Sequence, residues 1–95
     1  MEDGAGGSGK INWKKSTREK FDLMIGKIPV FLRSIAEKKV MEKLESIVRQ
    51  ENRSEISEKD MVDAFFAATP FGFHGPMKSD MEEFGIDYKK YGHEK

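Results

Sequence analysis

Apolar residues along this chain recur mainly at three- and four-residue steps, the period of a helix buried on one face. Phe21, Met24, Ile25 and Ile28 fall at i, i+3, i+4 and i+7, which predicts a short first helix over residues 17–27. Ser16-Thr17-Arg18-Glu19 has the S-x-x-E spacing of a capping box and marks its start. Gly26 weakens its last turn. Lys27-Ile28-Pro29-Val30-Phe31-Leu32-Arg33 then joins it to a second helix with almost no loop. Proline lacks an N–H and fixes φ near the helical value, so it fits the first turn of a helix and disrupts an interior. From this elbow Leu32, Ile35, Ala36, Val40, Leu44, Ile47 and Val48 continue a helical stripe, with Phe31 and Met41 beside it, up to the polar break Asn52-Arg53-Ser54-Glu55. A helix of ~23 residues would be roughly 35 Å long and would serve as the spine for the others.

Ile56 is a lone apolar residue in an extended connection, after which Ser57-Glu58-Lys59-Asp60 opens a third helix with a cap and early acids. Met61, Val62, Ala64, Phe65 and Ala68 make one side of it apolar, and Thr69-Pro70 ends it. Phe71-Gly72-Phe73-His74-Gly75-Pro76 reads as an ordered aromatic loop pressed onto the core. Met77, Met81 and Phe84 fit a short fourth helix stopped by Gly85, and Ile86-Asp87-Tyr88 offers one more docking point. Trp13, ahead of the first helix, is placed to pack back as a staple. The fold class is therefore all-α: a short helix, a long central helix, a short third helix, and an aromatic Gly/Pro loop with a short fourth helix packed on them. A single domain over residues 11–88 comprises a core, 11–68, and an extension, 69–88. A Gly/Ser-rich leader, 1–10, is expected to be disordered, and the tail, 89–95, to fray. No internal repeat is visible in the sequence.

Composition narrows the chemistry. The 95 residues include no cysteine, which excludes disulfides, thiolate nucleophiles and an iron–sulfur cluster held by this chain's own thiolates. No apolar run approaches the roughly 18–20 residues that cross a bilayer, and no signal segment opens the chain, so a soluble cytoplasmic protein is expected. Net charge is zero, yet residues 10–43 hold ten Lys/Arg against four Asp/Glu while residues 44–95 hold seven against eleven. A basic front half attracts nucleic acid or an acidic partner, or simply complements the rest of the fold. Gly4-x4-Gly9-Lys10 imitates a phosphate-binding loop, but no strand precedes it and Ile11 follows the lysine where Ser or Thr is needed.

Candidate contacts are few. Lys27 and Arg33 flank the elbow, where the second helix's N-terminus is electropositive, and could receive an anion or a partner carboxylate. Phe71, Phe73 and His74 share the aromatic loop, and His74 could donate a proton, ligate or lie on the surface. Metal binding needs three or four convergent ligands, and no HxxH, HExxH or Cys spacing surrounds His74 or His93, so no metal is expected. Acid pairs such as Asp60/Asp63 and Asp80/Glu83 lie one turn apart on solvated-looking faces, and no Ser–His–acid set is recognisable. No catalytic residue and no cofactor follow from these patterns. The methionines Met24, Met41, Met61, Met77 and Met81 sit at core-compatible positions.

Trp13, Ile28-Pro29-Val30-Phe31-Leu32-Arg33, the spine through Val48, and Ile56-Ser57-Glu58-Lys59-Asp60-Met61-Val62 together resemble a small helical module of the protochlorophyllide reductase family. That module is the C-terminal piece of the B subunit of the light-independent enzyme, and it also occurs as stand-alone chains. The resemblance covers about Ile11 to Ala68 and implies a link to an oxidoreductase of photosynthetic pigment synthesis. The large catalytic domains of that enzyme are missing from this chain, so a non-catalytic interaction or accessory module, binding a protein partner or itself, is the expected function. A component of a reductase complex, or a tetrapyrrole binder using Phe71, Phe73 and the methionines, is the alternative. The short–long–short helix order is also similar to a histone fold, which would make the basic front half a DNA contact. Zero net charge argues against that, because DNA-binding domains are usually basic.

Overall fold

Two short extended segments begin the architecture. In the computed structural model, which describes residues 11–93, β1 (Asn12–Trp13) pairs in parallel with β2 (Glu55–Ile56), Asn12 opposite Glu55 and Trp13 opposite Ile56. Each strand runs straight into a helix: β1 into α1 (Lys15–Gly26) and β2 into α3 (Glu58–Ala68). Each of those helices ends at a proline, passes through a three-residue 3-10 turn, and continues at once as another helix. Pro29 and the turn Val30–Leu32 lead into α2 (Arg33–Gln50), and Pro70 and the turn Phe71–Phe73 lead into α4 (His74–Glu83). The chain is thus predominantly helical, as the apolar period predicts, with a two-residue sheet added. It is also built from one strand–helix–elbow–helix unit used twice, a repeat of architecture that the residue identities hide. The leader predicted for residues 1–10 lies outside the described residues.

The start of α1 differs from expectation. Ser16 does not cap it; Lys14 takes the cap position in extended backbone, with no side-chain bond. Pairing with β2 holds the chain extended through Trp13, so the helix begins immediately behind the strand and Ser16 falls inside its first turn. At the equivalent point of the second unit the cap does form. The Ser57 hydroxyl accepts from the Asp60 N–H while the Asp60 carboxylate accepts from the Ser57 N–H, a complete capping box. The same carboxylate takes two bonds from the Arg53 guanidinium, at 2.7 and 2.8 Å.

The central helix is shorter than the periodicity suggested, at 18 residues, because the elbow takes Val30–Leu32 out of it. Its buried face is Val40, Leu44 and Val48, against α3 and β2. Ile35, assigned to that stripe by sequence, is 55% exposed. It precedes Leu44 by nine residues, which at 3.6 per turn is two and a half turns, and so lies on the opposite face. Asn52 (φ 57°) closes α2, with the Arg53 N–H donating to the Val48 carbonyl; Gly85 (φ 72°) closes α4, with the Ile86 N–H donating to Met81. Both are left-handed residues in a Schellman ending, and asparagine and glycine are the types that tolerate that backbone.

Gly75 and Pro76, read from sequence as loop, occupy the first turn of α4, where a missing N–H costs nothing. Phe71 and Phe73 point outward instead of onto the core. The tail does not fray through residue 93: Tyr88–Tyr91 forms a 3-10 turn, Tyr88 is buried, the Tyr91 hydroxyl donates to Glu58 at 3.2 Å, and His93 stacks on Phe66.

These placements give two measurable outcomes. Leu44→Ala, which empties a fully buried site, is expected to cost about 2–5 kcal/mol in chemical denaturation, whereas Ile35→Ala should stay within about 0.5 kcal/mol. Burial alone would raise the Asp60 pKa, but the bonds from Arg53 and Ser57 and the Arg53 charge outweigh it and hold the carboxyl below its ordinary value. A depressed folded pKa stabilises the fold above the unfolded-state value, about pH 4, and that contribution is lost as pH falls through the folded value. Asp60→Asn should therefore be less stable than wild type by about 1–3 kcal/mol at pH 7, with the difference shrinking as pH falls below the ordinary carboxylate value.

Candidate functional site

The two elbows have nearly the same backbone. Pro29 (φ −52°, ψ 139°) and Pro70 (φ −56°, ψ 144°) are both extended, and the residue preceding each second helix, Leu32 (φ −107°, ψ −7°) and Phe73 (φ −104°, ψ 7°), caps it without a side-chain bond. One short bond closes each turn, from the Leu32 N–H to the Pro29 carbonyl at 2.8 Å and from the Phe73 N–H to the Pro70 carbonyl at 2.9 Å. The first residue of the following helix then reaches back five positions to the carbonyl preceding the proline. Arg33 Nε donates to Ile28 O at 2.8 Å, and His74 Nε2 lies 2.9 Å from Thr69 O. Those carbonyls lie just past the ends of α1 and α3, beyond the helical ladder, and an arginine and a histidine side chain bond them instead.

A turn tied this way holds its tip away from the body. At the first elbow Val30 is 75% and Phe31 80% exposed, with Leu32 and Ile35 also open to solvent; at the second, Phe71 is 84% and Phe73 64% exposed. These are large apolar side chains on hydrogen-bonded turns, and their solvent exposure is costly. Their surroundings differ. From Ala64 to Met77 the sequence has no Lys, Arg, Asp or Glu in a chain that is 36% charged, so the second tip is carried on a charge-free stretch of chain. The first tip is followed by exposed Lys38, Lys39 and Lys43. Helix α4 connects the two regions: it begins at the second elbow and ends at Glu83, which pairs with Lys27 beside the first elbow at 2.8 Å.

The candidate residues therefore divide. Lys27 pairs with Glu83, whose hydrogen bond raises the ammonium pKa. Arg33 directs its guanidinium to backbone, with Nη2 donating to Gly26 O at 2.8 Å as well. His74 holds the second elbow and meets Phe66 edge-on at 5.0 Å and Phe71 at 5.5 Å. His93 stacks on Phe66 with centroids 4.1 Å apart and pairs with Asp63 at 2.7 Å. Phe66 is thus flanked by both histidines, a structural joint between α3, α4 and the tail. Phe71 and Phe73 are the predicted contacts that remain open to a partner.

Sequence reasoning missed Val30, Phe31, Leu32 and Ile35 by assigning them to the spine or its buried stripe. The angular offset of Ile35 from Leu44 was the available signal. Among the described residues, no three His, Cys, Asp or Glu side chains converge as a metal site. An open depression of about 350 Å³ between Glu82 and Lys89 includes none of the predicted contacts.

Residues 7–94 match a family model described as protein of unknown function (DUF2621). No curated protein and no solved structure matches the chain.

The elbow geometry predicts how Arg33 behaves. Arg33→Ala removes a charged donor from two carbonyls and should lower stability by about 1–3 kcal/mol, read from the urea midpoint. Lys at position 33 should recover only part of this, since it cannot present the fork to both oxygens.

Proposed function

The chain belongs to the DUF2621 family, whose description assigns no activity, and from its geometry we propose a non-catalytic docking module that binds a protein partner through the second elbow. The observation that supports this reading is the exposure of Phe71 and Phe73 on a fixed turn within fourteen residues free of charge. Buried interface centres are depleted in charge and enriched in aromatic anchors. The anchors are held in place before binding: Pro70 restricts the backbone and His74 ties the turn to Thr69, so little ordering cost falls on association. A link to a reductase complex or to a tetrapyrrole is the reading that the module resemblance implies, and it shares this surface through the same two phenylalanines.

Phe71→Ser/Phe73→Ser is the direct test, because both side chains are exposed and the variant should keep the wild-type melting curve. Isothermal titration against a protein captured by the wild-type chain should show at least about a tenfold loss of affinity for the double variant. Equal affinity would overturn the reading. Altered Trp13 emission on adding a porphyrin, abolished by the same substitutions, would favour the tetrapyrrole alternative. Salt-sensitive retention on heparin, unaffected by them, would favour the nucleic-acid alternative.

A further inference from the structure

We propose that the first elbow seats this module on an anionic lipid leaflet, a contact separate from the protein docking assigned to the second elbow. The two elbows share backbone geometry, so the difference in their surroundings is the informative quantity. The fourteen-residue stretch that carries the second tip holds no Lys or Arg with which to attract a lipid headgroup. Around the first, Ile35, Lys39 and Lys43 follow one another at four-residue steps along α2, with Lys38 one turn beyond Ile35 and all three lysines exposed. Glu42 is the exposed acid among them, Glu37 is half-buried, and Glu83, exposed beside the elbow, is paired with Lys27. Apolar side chains at a tip with lysines behind it match the layering of a membrane interface, hydrocarbon below and acidic headgroups above.

Shape points the same way. Val30 and Phe31 are covered by their own protein over only a quarter and a fifth of their surface, so the tip is convex. A fluid leaflet takes a convex tip with no preformed pocket. Arg33 and Pro29 fix the turn, so insertion would order little that is not already ordered. A second copy of the chain is a poorer occupant. An isologous contact would set the lysines of one protomer against those of the other. No helix among the described residues is long and apolar enough to cross a membrane, and the proposed contact is at the surface.

Co-sedimentation of the 95-residue chain with vesicles tests it, comparing phosphatidylcholine alone with phosphatidylcholine containing roughly one-third phosphatidylglycerol. The expected result is partition onto the anionic vesicles only, weakened by salt. Val30→Ser/Phe31→Ser and, separately, Lys38→Glu/Lys39→Glu should each reduce partition about tenfold or more, with circular dichroism unchanged. Phe71→Ser/Phe73→Ser should leave partition at the wild-type level, so protein docking can fail without touching this result. Failure of the wild-type chain to sediment with anionic vesicles overturns the proposal. So does sedimentation that Val30→Ser/Phe31→Ser leaves intact, which would mean attraction by charge alone, as to any acidic polymer.

Discussion

The buried carboxylate of Asp60 holds together segments that would otherwise be independent. One oxygen receives Arg53 Nη2; the other receives Arg53 Nη1, the Ser57 N–H and the Ser57 hydroxyl. Arg53 lies just past the end of α2 and also donates to the Glu55 carbonyl, while Ser57 caps α3. A single ion pair therefore sets where α2 stops, where β2 lies and where α3 starts. An isolated surface pair contributes little to stability, but this one has its lone pairs filled and one member out of water, the condition under which removing a partner is costly. The packing of α3 along α2, which makes most of the core, depends on the turn having this shape.

Given that joint, the rest follows from a unit used twice. The residues at the third position of α1 and α3, Thr17 and Asp60, are both polar and both buried. Phe21 fills the first unit's core where the second has Ala64. The second helices differ most, eighteen residues in α2 against ten in α4, so the long helix forms the scaffold and the short one links the two elbows. Equal backbone at the elbows with unlike side chains is how one device serves two purposes. Arg33 and His74 are chemically different solutions to the same unsatisfied carbonyl.

Much of this was legible in the residues. Four helices, the first proline elbow, the cap at Ser57, Gly85 as a stop and the methionine core all rest on local rules, and local rules hold where no distant contact overrides them. Three features were not legible because a distant partner decided them. Ser16 lost its capping role when β2 held Trp13 extended. Ile56 looked like a lone apolar residue because its partner lies at Trp13, and residues 89–93 looked loose because Glu58, Asp63 and Phe66 hold them. Ile35 was a different failure: the identity was right for a helix, but its position two and a half turns from Leu44 puts it off the row of Val40, Leu44 and Val48. At the candidate site, sequence placed Lys27 and Arg33 beside the elbow but not their intramolecular partners, Glu83 and the carbonyls of Gly26 and Ile28, which lie at a distance along the chain or on its backbone.

The parallel bridge between β1 and β2 also constrains the order in which the chain can fold. Helical turns and the α2–α3 hairpin form from near neighbours, in the microsecond range for elements of this size. The bridge closes a loop of about forty residues and carries an entropic cost that two residue pairs do not offset by themselves. It can close only after the hairpin has placed Ile56 on the core, so the first strand is the last piece to be acquired and the first to be released. Amide exchange at Asn12, whose N–H donates to the Ser54 carbonyl across the bridge, would then report a shorter-lived closed state than exchange at Leu44.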